Sequence, residues 1–242
     1  MHMMVRLRHW LFALTIGLTT TAQGMDVKQS ALVLGGTGRL GSAIVASLTE
    51  AGYAVTVFAR PTSDRARLTD LPVEYIVGDL LEGPSVIAAV DGQSFAYVID
   101  ASARGPNRDP FYVAVMQNIL AALDGSEVKQ FILHGSIGAG DSAAVFSDAM
   151  YERVRGVMQE KTQAENLLKA SGMRYTIIRN GVIKLDGTAA TGTAELSEDK
   201  TTMGTVTRPD LAALTMQCLA NESCTNKTLH AVDASWMDDP GY

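Results

Sequence analysis

The chain has 242 residues and a formal net charge of −6, with 47% hydrophobic and 19% charged residues. This length and composition are typical of one globular domain of the α/β class. The sequence contains no cluster of five or more basic residues, which a non-specific nucleic-acid binder needs, so we expect no nucleic-acid partner. The four histidines are scattered, and neither they nor the two cysteines have the spacing of metal ligands, so we predict no metal site.

The first 24 residues differ in composition from the rest. Arg6 and Arg8 give a basic start, followed by a short apolar run over 10–18 and then by small residues. This order is typical of a secretory signal peptide, and the apolar run is too short for a membrane span. The alternative is a translation start at Met25, with the preceding residues read in frame from upstream sequence. We predict a leader over 1–24 and an extracytoplasmic, for instance periplasmic, protein; a start at Met25 would make it cytoplasmic.

From Ser30 onward, short apolar runs alternate with helical patterns, which predicts a parallel sheet covered on both faces. We expect a single Rossmann-type, doubly wound α/β domain over 25–242, with the Thr-, Gly- and Ala-rich segment 184–206 as a small lid or edge hairpin. The predicted strands are Ala31–Leu34, Ala54–Ala59, Val73–Val77, Phe95–Asp100, Gln130–His134, Tyr175–Arg179 and Leu229–Val232. The predicted helices are Leu40–Ala51, Val86–Val90, Phe111–Leu123, Ala149–Ala170 and Asp210–Leu219.

The glycine loop between the first strand and the first helix is the most informative motif. Gly35, Gly38 and Gly41 have the spacing G-x-x-G-x-x-G. The first glycine permits a tight turn, the second lets a pyrophosphate approach the backbone, and the third lets the helix pack closely on the strand. Free N–H groups at the helix start attract phosphate. The loop lacks the Gly-Lys-Ser/Thr ending of a nucleoside triphosphatase, so it predicts a nicotinamide dinucleotide.

The choice between NAD and NADP is made at the end of the second strand. An acidic residue there accepts hydrogen bonds from the ribose 2′-hydroxyl of NAD, but this chain has Arg60, and its next acid is Asp64. A guanidinium suits a 2′-phosphate. Arg39 and Arg65 are near enough in sequence to assist. We therefore predict NADP as the cofactor, with NADPH preferred over NADH.

Taken together, these motifs resemble those of a known superfamily. The glycine loop, Gly78-Asp79-Leu80 after the third strand, and Lys161 on the long helix before the strand 175–179 are similar to the atypical short-chain dehydrogenases/reductases. Within that superfamily the chain looks most like the NAD(P)H-binding group that includes NmrA-like proteins and biliverdin-IXβ/flavin reductases. The resemblance covers residues 30 to 233.

The resemblance implies roles for single residues. Asp79 would bond the adenine amino group, Lys161 would bond the ribose hydroxyls, and Ser136 would lie beside the nicotinamide. Ser136 and Lys161 are the candidate catalytic residues, with positioning roles. The complete predicted cofactor-binding set is Gly35, Thr37, Gly38, Arg39, Leu40, Gly41, Arg60, Asp79, Leu80, Ala101, Ser102, Ala103, Ser136, Lys161, Asn180, Gly181, Val182 and Ile183.

The sequence also departs from this superfamily. A typical member has a tyrosine four residues before the lysine, where this chain has Val157. Tyr151 lies ten residues before Lys161, which is about 15 Å along a helix and too far to replace it. The usual Arg-Pro-Gly after the sixth strand is Arg-Asn-Gly here, with Asn180 in the middle. His134 is close in sequence to Ser136, but it should point into the sheet packing and be structural.

Two functions fit these residues. The first is a reductase in which NADPH gives a hydride to an electron-poor small-molecule acceptor, such as a flavin, quinone or tetrapyrrole, without a catalytic tyrosine. The second is a non-catalytic NADP(H)-binding redox sensor or assembly factor of NmrA-like type with a protein partner. Neither function requires a free thiol. We expect the two cysteines, Cys218 and Cys224, to be unpaired and structural, although an exported protein could pair them.

Overall fold

The computed structural model describes residues 29–105 and 108–236 of the chain. The predicted leader over 1–24 lies outside these described residues. The strands are β1 (Ser30–Leu34), β2 (Ala54–Ala59), β3 (Val73–Val77), β4 (Tyr97–Asp100), β5 (Gln130–Ser136), β6 (Tyr175–Asn180), β7 (Val182–Ile183), β8 (Ala194–Ser197), β9 (Thr205–Val206) and β10 (Lys227–Asp233). The helices are α1 (Arg39–Glu50), α2 (Gly83–Val90), α3 (Tyr112–Ala122), α4 (Asp148–Ala170) and α5 (Arg208–Cys218).

Eight of the strands form one sheet in the order β3-β2-β1-β4-β5-β6-β10-β8. All neighbours in it run parallel except β8, which pairs antiparallel with β10. The chain order reverses at β1, because β2 pairs with one side of this strand and β4 with the other. Such a reversal leaves a crevice at the carboxyl ends of the strands, where ligands bind in open α/β sheets. The predicted Rossmann-type fold and all seven predicted strands are confirmed.

Helices cover both faces of the sheet. On one face α1 packs against α5 and buries Ile44, Leu48 and Leu211 in one apolar cluster. On the other face α3 packs against α2 and α4, where Met116 and Leu168 lie in a second cluster. Each fully buried side chain of this kind contributes about 1.5–3 kcal/mol. These two layers hold the sheet, and therefore the ends of its strands, in a fixed arrangement.

The segment 184–206 contains more regular structure than the sequence indicated. Residues of β8 extend the edge of the main sheet beyond β10, with Val232 paired to Glu195. The short strand β7 precedes this segment and pairs in parallel with β9 at its end, Val182 opposite Thr205. At the edge of the main sheet the segment thus contributes the single strand β8, which pairs antiparallel with β10.

The two cysteines form a disulfide, which corrects the expectation of two unpaired thiols. Cys218 ends α5 and Cys224 ends a 3₁₀ turn over 222–224, so the chain doubles back between them. Their Cα atoms lie 5.4 Å apart, within the range that a disulfide requires. The spacing of six residues in the sequence could not predict this disulfide, because the reversal of the chain depends on the residue at which α5 ends.

Within the described ranges, none of the helices combines the length and the apolar character that crossing a bilayer would require.

Candidate functional site

A cavity of about 450 Å³ lies at the carboxyl ends of the parallel strands. It begins where β1 turns into α1, which is the point at which the strand order reverses. Sixteen of the eighteen predicted cofactor residues line it, although they come from the carboxyl ends of β1 to β6, from the start of α1, from β7 and from α4. These are Gly35, Thr37, Gly38, Arg39, Leu40, Arg60, Asp79, Leu80, Ala101, Ser102, Ala103, Ser136, Lys161, Asn180, Gly181 and Ile183.

The other two predicted residues, Gly41 and Val182, lie behind the cavity wall. Gly41 is buried in α1, and a Cβ added to it would lie 2.2 Å from the carbonyl oxygen of Gly35. It therefore has the close-packing role expected of the third glycine. Val182 belongs to β7 and pairs with Thr205, so the structure does not bring it to the cofactor cavity.

The glycine loop has the geometry of a phosphate cradle. Gly35 has a φ of +74°, and a Cβ on it would lie 2.7 Å from the backbone of Ser102, so only glycine fits this turn. Gly38 precedes α1 as its N-cap residue, and no side chain caps this helix among the described residues. The first-turn N–H groups of α1 are thus available to an anion, and the helix dipole adds to the attraction. The loop fits a pyrophosphate.

Four arginines come from the start of α1 and from the segment after β2. Arg60 lines the cavity, as predicted. Arg39 and Arg67 both contact the carboxylate of Asp186, with N–O distances of 3.6 and 3.2 Å. Arg65, which the sequence suggested as a helper, instead places its guanidinium 4.3 Å above the ring of Tyr75. Arg60 and Arg39 are therefore the arginines that line this part of the cavity.

Asp79 has a partner that the sequence did not reveal. Arg108 donates a hydrogen bond from Nη2 to Oδ1 of Asp79, and both residues line the cavity. Burial raises the pKa of Asp79, but the Arg108 hydrogen bond, the backbone N–H of Leu81 and the charges of Arg108 and Arg60 outweigh it and lower the pKa overall. The carboxylate is therefore an ionised acceptor, as the implied bond to an adenine amino group requires.

The two candidate catalytic residues are in direct contact. Nζ of Lys161 donates a hydrogen bond to Oγ of Ser136 at 2.6 Å, across the gap between α4 and the end of β5. The same Nζ lies 4.6 Å from the ring centroid of Tyr112, the first residue of α3. Tyr112 was not among the predicted site residues, because nothing local in the sequence connects α3 with Lys161.

Burial controls the protonation of this group of residues. It lowers the pKa of Lys161 to about 8, although the charges of Glu165, Asp100 and Glu160 partly oppose the change. Burial also raises the pKa of Asp100 at the end of β4, while hydrogen bonds from Ser102 and the charge of Lys161 act in the opposite direction. The Lys161 ammonium thus lies between the ring of Tyr112 and acidic groups, and its lowered pKa is close to neutral pH.

His134 has the buried, hydrogen-bonded surroundings of a structural residue, as the sequence predicted, although it also lines the cavity. Its Nε2 lies 3.0 Å from Oγ1 of Thr215 and its Nδ1 lies 3.3 Å from Oδ1 of Asn180, both buried. Burial lowers the pKa of His134 to about 4, which the hydrogen bond with Asn180 opposes only in part. A neutral imidazole with two partners is a packing element rather than an acid or base for the cavity.

The position of the usual tyrosine is not filled by another part of α4. Val157 lies in a separate groove with Glu160, away from the cavity of the glycine loop. Tyr151 stacks under the guanidinium of Arg155, with 5.3 Å between the Arg155 Cζ and the ring centroid. Neither residue lines the main cavity. The expectation that Tyr151 cannot replace the tyrosine agrees with this arrangement.

Several lining residues escaped the sequence analysis. Arg208 begins α5 and donates a hydrogen bond of 2.7 Å from Nη1 to the carbonyl of Lys184, which fixes the segment after β7 beside the cavity. The sequence signal for such lining residues is weak, because it consists only of their position close after a strand. The remaining lining residues are Phe58, Ala59, Ser63, Gly105, Arg108, Phe111, His134 and Gly135.

A glycine cradle at the strand reversal of a parallel sheet, with a lysine and a serine at its far end, defines a dinucleotide-binding protein of Rossmann type. The chain belongs to the NAD(P)H-binding family, whose model matches residues 35–222. The NAD(P)H-binding family that the sequence motifs indicated is thereby confirmed.

Two sequence relatives and one solved structure are similar to this chain. The chain is 32% identical to photosystem II assembly factor Ycf39 of Cyanophora paradoxa over 62% of its own length and 44% of that protein. It is 28% identical to an NAD(P)H azoreductase of Xenophilus azovorans over 62% of its own length and 47% of that protein. The chain thus spans less than half of these two relatives. Among solved structures, the anaerobilin reductase ChuY of Escherichia coli O157:H7 shares the fold, with a TM-score of 0.73 and 24% identity over 85% of this chain and 98% of that one.

Proposed function

We propose that this protein is an NADPH-dependent reductase of an electron-poor small-molecule acceptor of the flavin, quinone or tetrapyrrole type. The observation that carries the proposal is the contact of Lys161 with Ser136 at the end of the dinucleotide cavity that also contains the glycine loop. A lysine and a serine at this point can orient or protonate an acceptor, which serves a reductase and has no use in a protein that only binds the cofactor. The reductase names among the relatives support the same class of activity.

The preference for NADPH over NADH rests on charge. Arg60 lines the cavity after β2, where an acid would select NAD, and Arg39 lies in the glycine loop beside it. Two guanidinium groups gain charge-assisted hydrogen bonds from a 2′-phosphate and gain little from a hydroxyl. The carboxylate of Asp79, held by Arg108, completes the adenosine end as an acceptor for the adenine amino group.

The chain's own residues divide the work at the cavity. When bound, the cofactor supplies the hydride. The amides at the start of α1 hold its pyrophosphate, and Lys161 bonds its ribose hydroxyls with the two N–H groups that Ser136 does not use. Ser136 is the last residue of β5 and lines the cavity, where its hydroxyl would orient the acceptor beside the nicotinamide. The helices packed on both faces of the sheet hold the strand ends that carry these residues.

The test is a binding titration followed by turnover on the same purified sample. Calorimetric titration with NADPH and NADH should show tighter binding of NADPH. The sample should then oxidise NADPH with at least one of FMN, menadione and biliverdin above the rate without protein. Binding without turnover on any of the three would refute the reductase proposal, and no binding of either dinucleotide would refute the cofactor site as well.

A second candidate function is a non-catalytic NADP(H)-binding redox sensor or assembly factor. The likeness to a protein named as an assembly factor and the valine at position 157 favour it. Three results together would support this function. They are equal affinity for NADPH and NADP⁺, no turnover, and a partner protein recovered by crosslinking. Turnover with the panel above would exclude it.

A further inference from the structure

We propose that Lys161 protonates the reduced acceptor through the hydroxyl of Ser136, and that the ring of Tyr112 holds the Lys161 ammonium in place for this transfer. The inference rests on the proposed reductase function. It assigns a proton route to a site that lacks the usual tyrosine, and it adds a positioning residue from α3.

The direct contact between the lysine and the serine carries the route. Nζ of Lys161 donates to Oγ of Ser136 at 2.6 Å, and both groups line the cavity. An oxygen that accepts a hydrogen bond from an ammonium still has its own O–H to donate. Ser136 can therefore point its proton at an acceptor molecule while a second proton stands ready behind it.

The transfer balances without another reagent. The acceptor gains an electron pair with the hydride, and the atom left with excess charge forms a bond to the proton of Ser136. As that O–H bond breaks, Oγ takes the proton of Lys161, whose N–H bond breaks in turn. Neutral Lys161 then regains a proton from water, so Ser136 ends as it began.

Tyr112 explains why the ammonium stays at Ser136. The face of its ring lies 4.6 Å from Nζ of Lys161, and its hydroxyl accepts a hydrogen bond from the backbone N–H of Arg104 at 3.4 Å. Glu160 on α4 accepts hydrogen bonds from the N–H groups of Phe111 and Val113 at 2.5 and 3.4 Å. The start of α3 is thus tied to the turn of α4 that carries Lys161. Removing the ring would leave the ammonium without one wall of its site.

The charged surroundings suit a proton donor that works near neutral pH. The titratable groups that face Lys161 are Asp100 from β4, Glu160 and Glu165 from α4, and Tyr112 from α3. Burial lowers the pKa of Lys161 to about 8 against the pull of the three acids. At pH 7 most Lys161 is charged, yet it loses its proton readily, which is what a general acid requires.

The decisive experiment compares pH profiles of kcat/KM in the full chain with whichever acceptor the wild type reduces fastest. The wild-type value should fall tenfold per pH unit above about pH 8, because Lys161 is then deprotonated. Lys161→Arg keeps the charge and the hydrogen bond but cannot release its proton, so it should lose about 100-fold at pH 7 and show no such fall up to pH 10. An unchanged profile in Lys161→Arg would overturn the proton route while leaving the reductase proposal intact.

Variants of the other two residues separate chemistry from structure. Ser136→Ala should lose about 100-fold in kcat/KM, and Ser136→Thr should recover most of it, because only the hydroxyl is required. Tyr112→Leu should move the fall in rate to lower pH by about one pH unit, whereas Tyr112→Phe should leave it unchanged. Tyr151→Leu is the matched control on α4 and should have no effect. Full activity of Ser136→Ala, or equal profiles for Tyr112→Leu and Tyr112→Phe, would contradict the proposal.

A measurement without cofactor or turnover tests the same geometry. The rate at which acetic anhydride labels Lys161, followed by mass spectrometry against pH, reports the pKa of its amino group. We expect a value near 8 in the wild type and a lower value in Tyr112→Leu, with Tyr112→Phe and Tyr151→Leu as in the wild type. An ordinary pKa in the wild type would contradict the proton route near neutral pH, and no change in Tyr112→Leu would overturn the role assigned to Tyr112. Failure of the reductase proposal would appear separately, as the absence of NADPH oxidation by wild-type protein.

Discussion

The carboxylate of Asp186, in the segment that follows β7, lies 3.6 Å from Nε of Arg39 in the glycine loop. The same carboxylate contacts Arg67, so one acidic group binds two arginines at the edge of the cofactor cavity. A 2′-phosphate that used Arg39 would compete with Asp186 for it. We therefore expect this carboxylate, as well as the arginines, to affect the affinity for NADPH.

Asp186→Asn should bind NADPH more tightly, by up to about fivefold, because the guanidinium of Arg39 no longer has a competing anion. The effect is modest since both side chains are largely exposed to solvent. NADH, which has no 2′-phosphate, should bind as it does to the wild type. Titration of the wild type and of Asp186→Asn with both dinucleotides at fixed ionic strength measures the difference in affinity. Equal changes for the two cofactors would show that Asp186 acts on the position of the segment and not on the phosphate.

Arg60→Glu should lose NADPH affinity by about 10- to 100-fold and keep that for NADH, because a charge-assisted hydrogen bond is replaced by repulsion of the phosphate. Arg65→Glu makes the same change of charge five residues away, at a side chain that stacks on Tyr75. It should have a much smaller effect. Parallel titrations measure both, and a comparable loss in the two variants would mean that only the overall charge of this edge matters.

The sequence predicted the frame of the site because its signals are local. Continuous apolar runs separated by helical patterns predicted the strands β1 to β6. Parallel strands bring their carboxyl ends to one edge of the sheet. Residues that follow strands, such as Arg60, Asp79 and Ser136, therefore had to meet at one cavity. The glycine spacing fixed the end at which the phosphates would bind.

The remaining features depend on how distant segments pack. Tyr112 reaches Lys161 only because α3 lies against α4, which no pattern within either helix encodes. Asp186 meets Arg39 through a contact across about 150 positions of sequence. The strand β8 has the short, polar sequence AELS at the sheet edge, so it lacks the apolar run that identifies central strands. The disulfide likewise required the exact end of α5.

The buried neutral His134 should make the protein less stable in acid. Its pKa is about 4 in the folded state and about 6.5 when unfolded, so the unfolded chain binds more protons between these values and the free energy of unfolding falls as pH decreases through that range. The loss between pH 7 and pH 5 should be about 2 kcal/mol. Urea unfolding of the wild type and His134→Gln at both pH values isolates this contribution, since the other groups are common to both proteins. An equal pH dependence in the two proteins would mean that His134 titrates normally.

The disulfide between Cys218 and Cys224 should be present in the purified protein and contribute to its stability. Non-reduced protein unfolded in guanidinium should contain no thiol reactive with Ellman's reagent, and two after reduction. The bond closes a short loop, so replacing both cysteines by alanine should lower the free energy of unfolding by about 2 kcal/mol through the freedom gained by the unfolded chain. Reduced wild type is the matched control, because it loses the bond but keeps both side chains in the core. If reduction leaves the unfolding midpoint unchanged while the double variant is destabilised, packing of the buried thiols and not the cross-link holds the end of α5.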